Sequence, residues 1–138
     1  ITHSLGSCVG MVVYDSRSHI GALLHLQLPD SKNHARKSAE NPYMFADTGI
    51  PLTLNRMIQM GANKSSLMVS LFGGAAMLND NEVFKIGVKN ARASKKILWQ
   101  YGIPIQHEDL GGSISRTVGL VLSNGQITLR KNGQTLHL

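Results

Sequence analysis

Val9-Gly10-Met11-Val12-Val13-Tyr14, the polar run Asp15-Ser16-Arg17-Ser18, and Ile20-Gly21-Ala22-Leu23-Leu24-His25-Leu26-Gln27-Leu28 form the stretch from which the fold is read. Two apolar runs of strand length around a short polar turn specify a β-hairpin, with strands over 9–14 and 20–28. Directly ahead lies Leu5-Gly6-Ser7-Cys8, which holds the only cysteine of the chain. Thr2 sits on a strand leading into that turn.

Beyond the hairpin, residues 29–42 are rich in Asp, Ser, Lys, Asn and Arg and read as a loop. Ile50, Leu54, Met57, Ile58 and Gly61 then recur at helical spacing, predicting a helix over 47–60 with Pro51 in its first turn and Gly61 as its stop. An apolar run over 67–72 reads as a buried strand ending at Gly73-Gly74. A second helix is predicted over 87–101, with Ala91, Ser94, Leu98 and Tyr101 on one face and Lys85, Lys89, Arg92 and Lys96 on the other. Gly111-Gly112 interrupts the closing strands at 105–109, 117–122 and 126–131, the last two joined through Asn124-Gly125. This order predicts an α+β or mixed α/β sandwich with two main helices on a largely antiparallel mixed sheet.

The composition allows it. The chain has 138 residues, 42% hydrophobic and 16% charged, which suits one globular domain over 1–138. A single cysteine excludes an internal disulfide framework. No apolar run approaches membrane-spanning length and no secretory leader is visible, so a reduced cytoplasm is the expected home without membrane insertion. Ile1 stands first in place of a methionine, so an upstream segment is expected to be missing. The net charge of +6 favours acidic partners.

The chemistry rests on whether Cys8 and His25 meet. A four-residue hairpin loop pairs Tyr14 with His19 and sets Cys8 directly across from His25, with Cβ atoms about 4.5–5.5 Å apart. A five-residue loop pairs Cys8 with Leu26 and turns His25 to the other side. On one face, a neutral imidazole either takes the thiol proton or holds a thiolate–imidazolium pair. The turn Gly6-Ser7-Cys8 offers backbone N–H groups to an oxyanion. The hairpin has no evident carboxylate to fix the imidazole, and Thr2 is the candidate partner.

Each feature has a plainer reading. A lone cysteine in an apolar strand is ordinarily a small core residue, and a lone histidine a hydrogen-bonded one. His3, Cys8, His19, His25, His34 and His107 lack zinc-ligand spacing, so neither a metal nor an organic cofactor is expected. The basic helix face reads as a solvated surface, since no aromatic residues interleave with it as nucleic-acid binding would favour. Phe72-Gly73-Gly74-Ala75 and Asp109-Leu110-Gly111-Gly112 match no phosphate-loop pattern and read as tight turns near the site.

Taken in order, Leu5-Gly6-Ser7-Cys8-Val9-Gly10 through Tyr14-Asp15, His25 with Leu28-Pro29, Phe45-Ala46-Asp47, Phe72-Gly73-Gly74-Ala75, Ile86-Gly87 with Asn90, and Asp109-Leu110-Gly111-Gly112 resemble the CheD family of chemoreceptor glutamine deamidases. The resemblance spans essentially the whole chain, with Ser115-Arg116 where Gly-Arg is usual. It implies a fold similar to bacterial toxin deamidases. It also implies Cys8 as nucleophile, His25 as general base and Thr2 as the third catalytic member. The implied reaction turns receptor glutamine side chains into glutamate with release of ammonia, without a cofactor. The implied partners are the chemoreceptor cytoplasmic domain and a CheC-type phosphatase. A regulatory module that binds that phosphatase with little catalysis is the alternative, and nucleic-acid binding a distant third.

Overall fold

Strand β2 (Val9–Asp15) is buried at every residue, so it must lie at the centre of a sheet with both faces covered. In the computed structural model, which describes residues 1–76 and 81–138 with only the backbone of 81–84, it pairs antiparallel with β3 (Ile20–Leu26) and β4 (Leu67–Gly73). Strand β5 (Ile105–Leu110) adds in parallel to β4, giving the order β3-β2-β4-β5. The parallel pair requires a crossover, and helix α3 (Asn81–Gln100) supplies it.

A second sheet has the order β1-β6-β7-β8 and contains β1 (Thr2–Leu5), β6 (Arg116–Leu120), β7 (Ile127–Lys131) and β8 (Gln134–His137). Side-chain alternation along β2 divides the interior between two layers. Val9, Met11 and Val13 join Ile50, Leu54 and Met57 of α2 (Ala46–Gln59) and Leu98 of α3 in the larger core. Val12 points the other way, into a smaller cluster with Leu5, Phe72, Val118, Ile127 and Leu129 between the sheets. The mixed α+β sandwich is as predicted.

The detail departs from the sequence reading in several places. Two sheets replace one, because β1 pairs with β6 and the chain changes sheets between Leu5 and Val9. A short helix α1 (Ala35–Glu40) occupies part of the expected loop, and a 3₁₀ turn (Pro42–Met44) begins at the loop's last residue. α1 buries no residue, so it leaves no apolar period to read. Strand β8 was not anticipated, although Asn132 and Gly133, at φ 52° and 72°, form the kind of turn that joins hairpin strands. Helix α3 begins ahead of the predicted residue 87, while Lys85, Lys89, Arg92 and Lys96 are exposed as expected. Pro51 falls in the second turn of α2 and costs it one backbone hydrogen bond. Ile58 is exposed, because the buried stripe of α2 runs through Ala46, Gly49, Ile50, Thr53, Leu54 and Met57.

Among the described residues no helix is long and apolar enough to cross a bilayer.

Candidate active site

The chain first crosses between the two sheets at the turn Gly6-Ser7-Cys8, and the site assembles around it. Gly10 lies opposite His25 in the β2–β3 ladder. A Cβ on Gly10 would lie 2.7 Å from Leu5 Cδ1 and 3.6 Å from Thr2 Cγ2, so its missing side chain makes room for β1 to pass over the ladder. Thr2 therefore reaches His25 from the other sheet, with Oγ1 2.7 Å from Nδ1.

The hairpin register differs from both alternatives drawn from the sequence. Asp15 pairs with Ile20, and the pairing carries Gly10, not Cys8, to the position across from His25. Cys8 is thus a diagonal neighbour. A shift of two residues preserves the face where a shift of one would invert it. Cys8 and Leu23 both pack against the cluster between the sheets, and Leu23 shares its face of β3 with His25 by alternation.

The turn's carbonyls are held one by one. Ala75 N donates to Gly6 O at 2.8 Å and Gly74 N to Cys8 O at 2.8 Å. The Asn90 amide donates to Ser7 O at 2.9 Å. Gly73, at φ 108°, cannot be replaced without strain, since a Cβ there would stand 2.2 Å from Cys8 O. Both glycine pairs read as tight turns do lie beside the site: Gly111 N donates to Gly73 O at 2.8 Å.

A buried cation ties these turns down. Arg116, 5% exposed, donates to Asp109 Oδ1, Gly111 O and Ile114 O, at 2.7 Å for the shortest Asp109 contact. Lys131 also donates to Asp109. Partial burial raises the Asp109 pKa, but hydrogen bonds from Lys131 and Arg116 outweigh it and hold the carboxyl below its ordinary value.

Burial dominates the electrostatics of Cys8 and His25. It pushes the Cys8 thiol above its ordinary pKa, against a smaller lowering from the residue's own backbone N–H. It pushes the His25 imidazole below its ordinary value. Both shifts favour the neutral thiol and imidazole over the thiolate–imidazolium pair. The Thr2 hydroxyl bonded to the ring brings no charge that would raise its pKa.

A groove of about 340 Å³ reaches His25 along the outer edge of β3, lined also by Tyr43, Thr53, Arg56, Met57 and Met60. Among the described residues no group of three His, Cys, Asp or Glu side chains is arranged to hold a metal ion. The sequence reading named Thr2, Gly6, Ser7, Cys8 and His25, and all five gather at this turn or over it. It assigned no role to Gly10, Asn90 or Arg116. The available signal for Asn90 was a polar residue in phase with Gly87 and Ser94 on the helix face, and all three are buried.

A family model described as CheD chemotactic sensory transduction matches residues 27–131. Two similar proteins are named probable chemoreceptor glutamine deamidase CheD. That of Solibacter usitatus is 44% identical over 137 residues, covering 99% of this chain and 81% of the relative. That of Methanococcus maripaludis is 43% identical over 131 residues, covering 94% and 83%. The family-model span begins just past His25, whereas the alignment with the Solibacter protein takes in nearly the whole chain.

Proposed function

The chain belongs to the CheD family, and we propose that it is a single-domain, cysteine-dependent hydrolase that deamidates glutamine side chains of chemoreceptors in the cytoplasm. The observation that carries the reading is the Thr2–His25 hydrogen bond on the face that holds Cys8. It occupies Nδ1 and leaves Nε2 as the nitrogen for proton transfer.

In the proposed reaction, Cys8 Sγ attacks the glutamine amide carbon while His25 Nε2 accepts the thiol proton. The carbonyl oxygen becomes an oxyanion beside the N–H groups of the Gly6-Ser7-Cys8 turn. As the tetrahedral adduct collapses, the C–N bond breaks and His25 returns the proton to the departing ammonia. Water, deprotonated by His25, then cleaves the thioester to glutamate and free thiol. Every atom is accounted for by amide, water and the two side chains.

The substrate class comes from the relatives' names, and shifts that favour the neutral forms of Cys8 and His25 support a mechanism that generates the thiolate only as bonds form. The test incubates the protein with a chemoreceptor cytoplasmic fragment and maps amide-to-acid conversion by mass spectrometry. Cys8→Ala is expected to reduce conversion to the uncatalysed background while leaving thermal unfolding unchanged. Conversion that persists in Cys8→Ala would overturn the mechanism. If that variant lost conversion but kept chemotactic signalling, binding of a CheC-type phosphatase would be the main role instead.

A further inference from the structure

Asn90 is fully buried on α3, and its amide nitrogen donates to two carbonyls, one in the turn ahead of β2 and one just past the end of β3. One is Ser7 O, directly before the nucleophile, and the other is Gln27 O, just beyond His25, each at 2.9 Å. The two acceptors fix which end of the amide is nitrogen, because the flipped side chain would set an oxygen against both carbonyls. The helix reaches this depth through Gly87, where a Cβ would lie 2.7 Å from Ala75 O and 2.8 Å from Gly74 O.

The Ser7–Cys8 peptide transmits this contact. In a trans peptide the C=O and the following N–H point to opposite sides. With Ser7 O drawn toward α3, the Cys8 N–H turns away from the helix. Among the described residues neither the Ser7 nor the Cys8 N–H has a protein oxygen as acceptor. The turn therefore has its carbonyls taken and donors left over, the arrangement an oxyanion requires.

We propose that Asn90 is a positioning residue for the deamidation: by holding Ser7 O it aims the Cys8 N–H at the oxyanion, and by holding Gln27 O it locks that donor to the strand bearing His25. This rests on the hydrolase reading above. It adds a residue that touches neither substrate nor thiol.

The test uses the full chain and a receptor cytoplasmic fragment, with Asn90→Asp, Asn90→Ala and the Cys8→Ala control. Asn90→Asp keeps the volume but sets a carboxylate oxygen against the two carbonyls. Both Asn90 variants are expected to lower kcat by about 10²-fold, the scale of a lost oxyanion donor, with KM changed by less than about threefold. Alkylation of Cys8 by iodoacetamide builds no oxyanion, so its rate should stay within about threefold of wild type. Unchanged kcat, or kcat and alkylation falling together, would overturn the proposal. Deamidation that survives Cys8→Ala would instead overturn the hydrolase reading itself.

If neither Asn90 variant folds, the wild-type protein carries the test. A peptide with an aldehyde in place of the glutamine carboxamide should form a hemithioacetal by addition of Cys8 S–H across its C=O. The Cys8 backbone amide proton should then move downfield by NMR, and an unmoved resonance would overturn the assignment.

Discussion

The two ends of β2 treat their polar groups in opposite ways. At the far end, Asp15 is 1% exposed and its carboxylate accepts four hydrogen bonds. They come from the Ser66 hydroxyl at 2.7 Å, Asn63 N at 3.0 Å, the Ser18 hydroxyl at 2.8 Å and Arg17 N at 3.0 Å. At the near end, the Gly6-Ser7-Cys8 turn has its carbonyls engaged and leaves N–H groups beside a half-buried thiol. One end saturates a charge and joins the hairpin to the segment before β4. The other withholds partners. Saturation strengthens a fold, whereas a donor left open in a rigid turn is available to a charge that develops only during reaction.

The largest effect that would sharpen this contrast after loss of the thiol is loss of its proposed base. His25→Ala is expected to lower the deamidation rate by about 10²–10⁴-fold with little change in unfolding temperature. The wild-type pH profile provides a second check. Burial lowers the His25 pKa, so the imidazole stays neutral to more acidic pH and the acid limb of kcat/KM should lie below the ordinary histidine value of about 6.5. An acid limb above that value would mean that the imidazolium is stabilised and that the pair rests as ions.

At the opposite end the same kind of substitution should move stability and spare chemistry. Hydrogen bonds, led by those from Ser66 and Asn63, hold the Asp15 carboxyl well below the ordinary carboxylate range. Asp15→Asn should therefore lower Tm by several degrees at pH 7, while the folded variant retains wild-type kcat. The folded-state pKa lies below the unfolded value of about 3.9, so this contribution is complete above that value. It disappears as pH falls toward the folded-state value. The Tm difference between wild type and variant should shrink below pH 4. A difference that persists in acid would assign the role of Asp15 to shape instead of charge.

What the sequence disclosed follows from which forces act locally. The hairpin, α2 and the core face of α3 were readable because each carries its own apolar period, as Met11, Met57 and Leu98 show by their burial. The exposed strand β8 and helix α1 have no such stripe, and only Asn132-Gly133 marked the former. The hairpin register depends on the turn itself, where His19 adopts φ 56° and its N–H bonds Asp15 O, a geometry that residue types alone did not specify. Thr2, Cys8 and His25 were singled out from the sequence, but the geometry that brings them together was not. That Thr2 arrives from a second sheet follows from β1 pairing with β6, a contact more than a hundred residues away in the chain. Asn90 stood among the residues that carry the family resemblance but had no role, since a buried asparagine on a helix reveals nothing about which distant carbonyls it serves.

The smallest expected effect probes how the imidazole is held. For His25 Nε2 to accept a proton, the proton of the neutral ring must sit on Nδ1, so Nδ1–H donates to Thr2 Oγ1 across the 2.7 Å contact. Thr2→Val keeps the shape and removes the acceptor. Loss of one such bond, worth about 1 kcal/mol, should lower kcat by about fivefold to tenfold, because part of the imidazole population then takes the wrong tautomer or orientation. The acid limb of the profile should hardly move, since the threonine carries no charge. Thr2→Asp makes the opposite separation: the carboxylate would still accept from Nδ1, but would stabilise the imidazolium and move the acid limb upward. A Thr2→Val variant with full activity would show that packing between the sheets already fixes the ring. If Thr2→Asp left the acid limb in place, the Thr2–His25 contact would not be the one that controls the base.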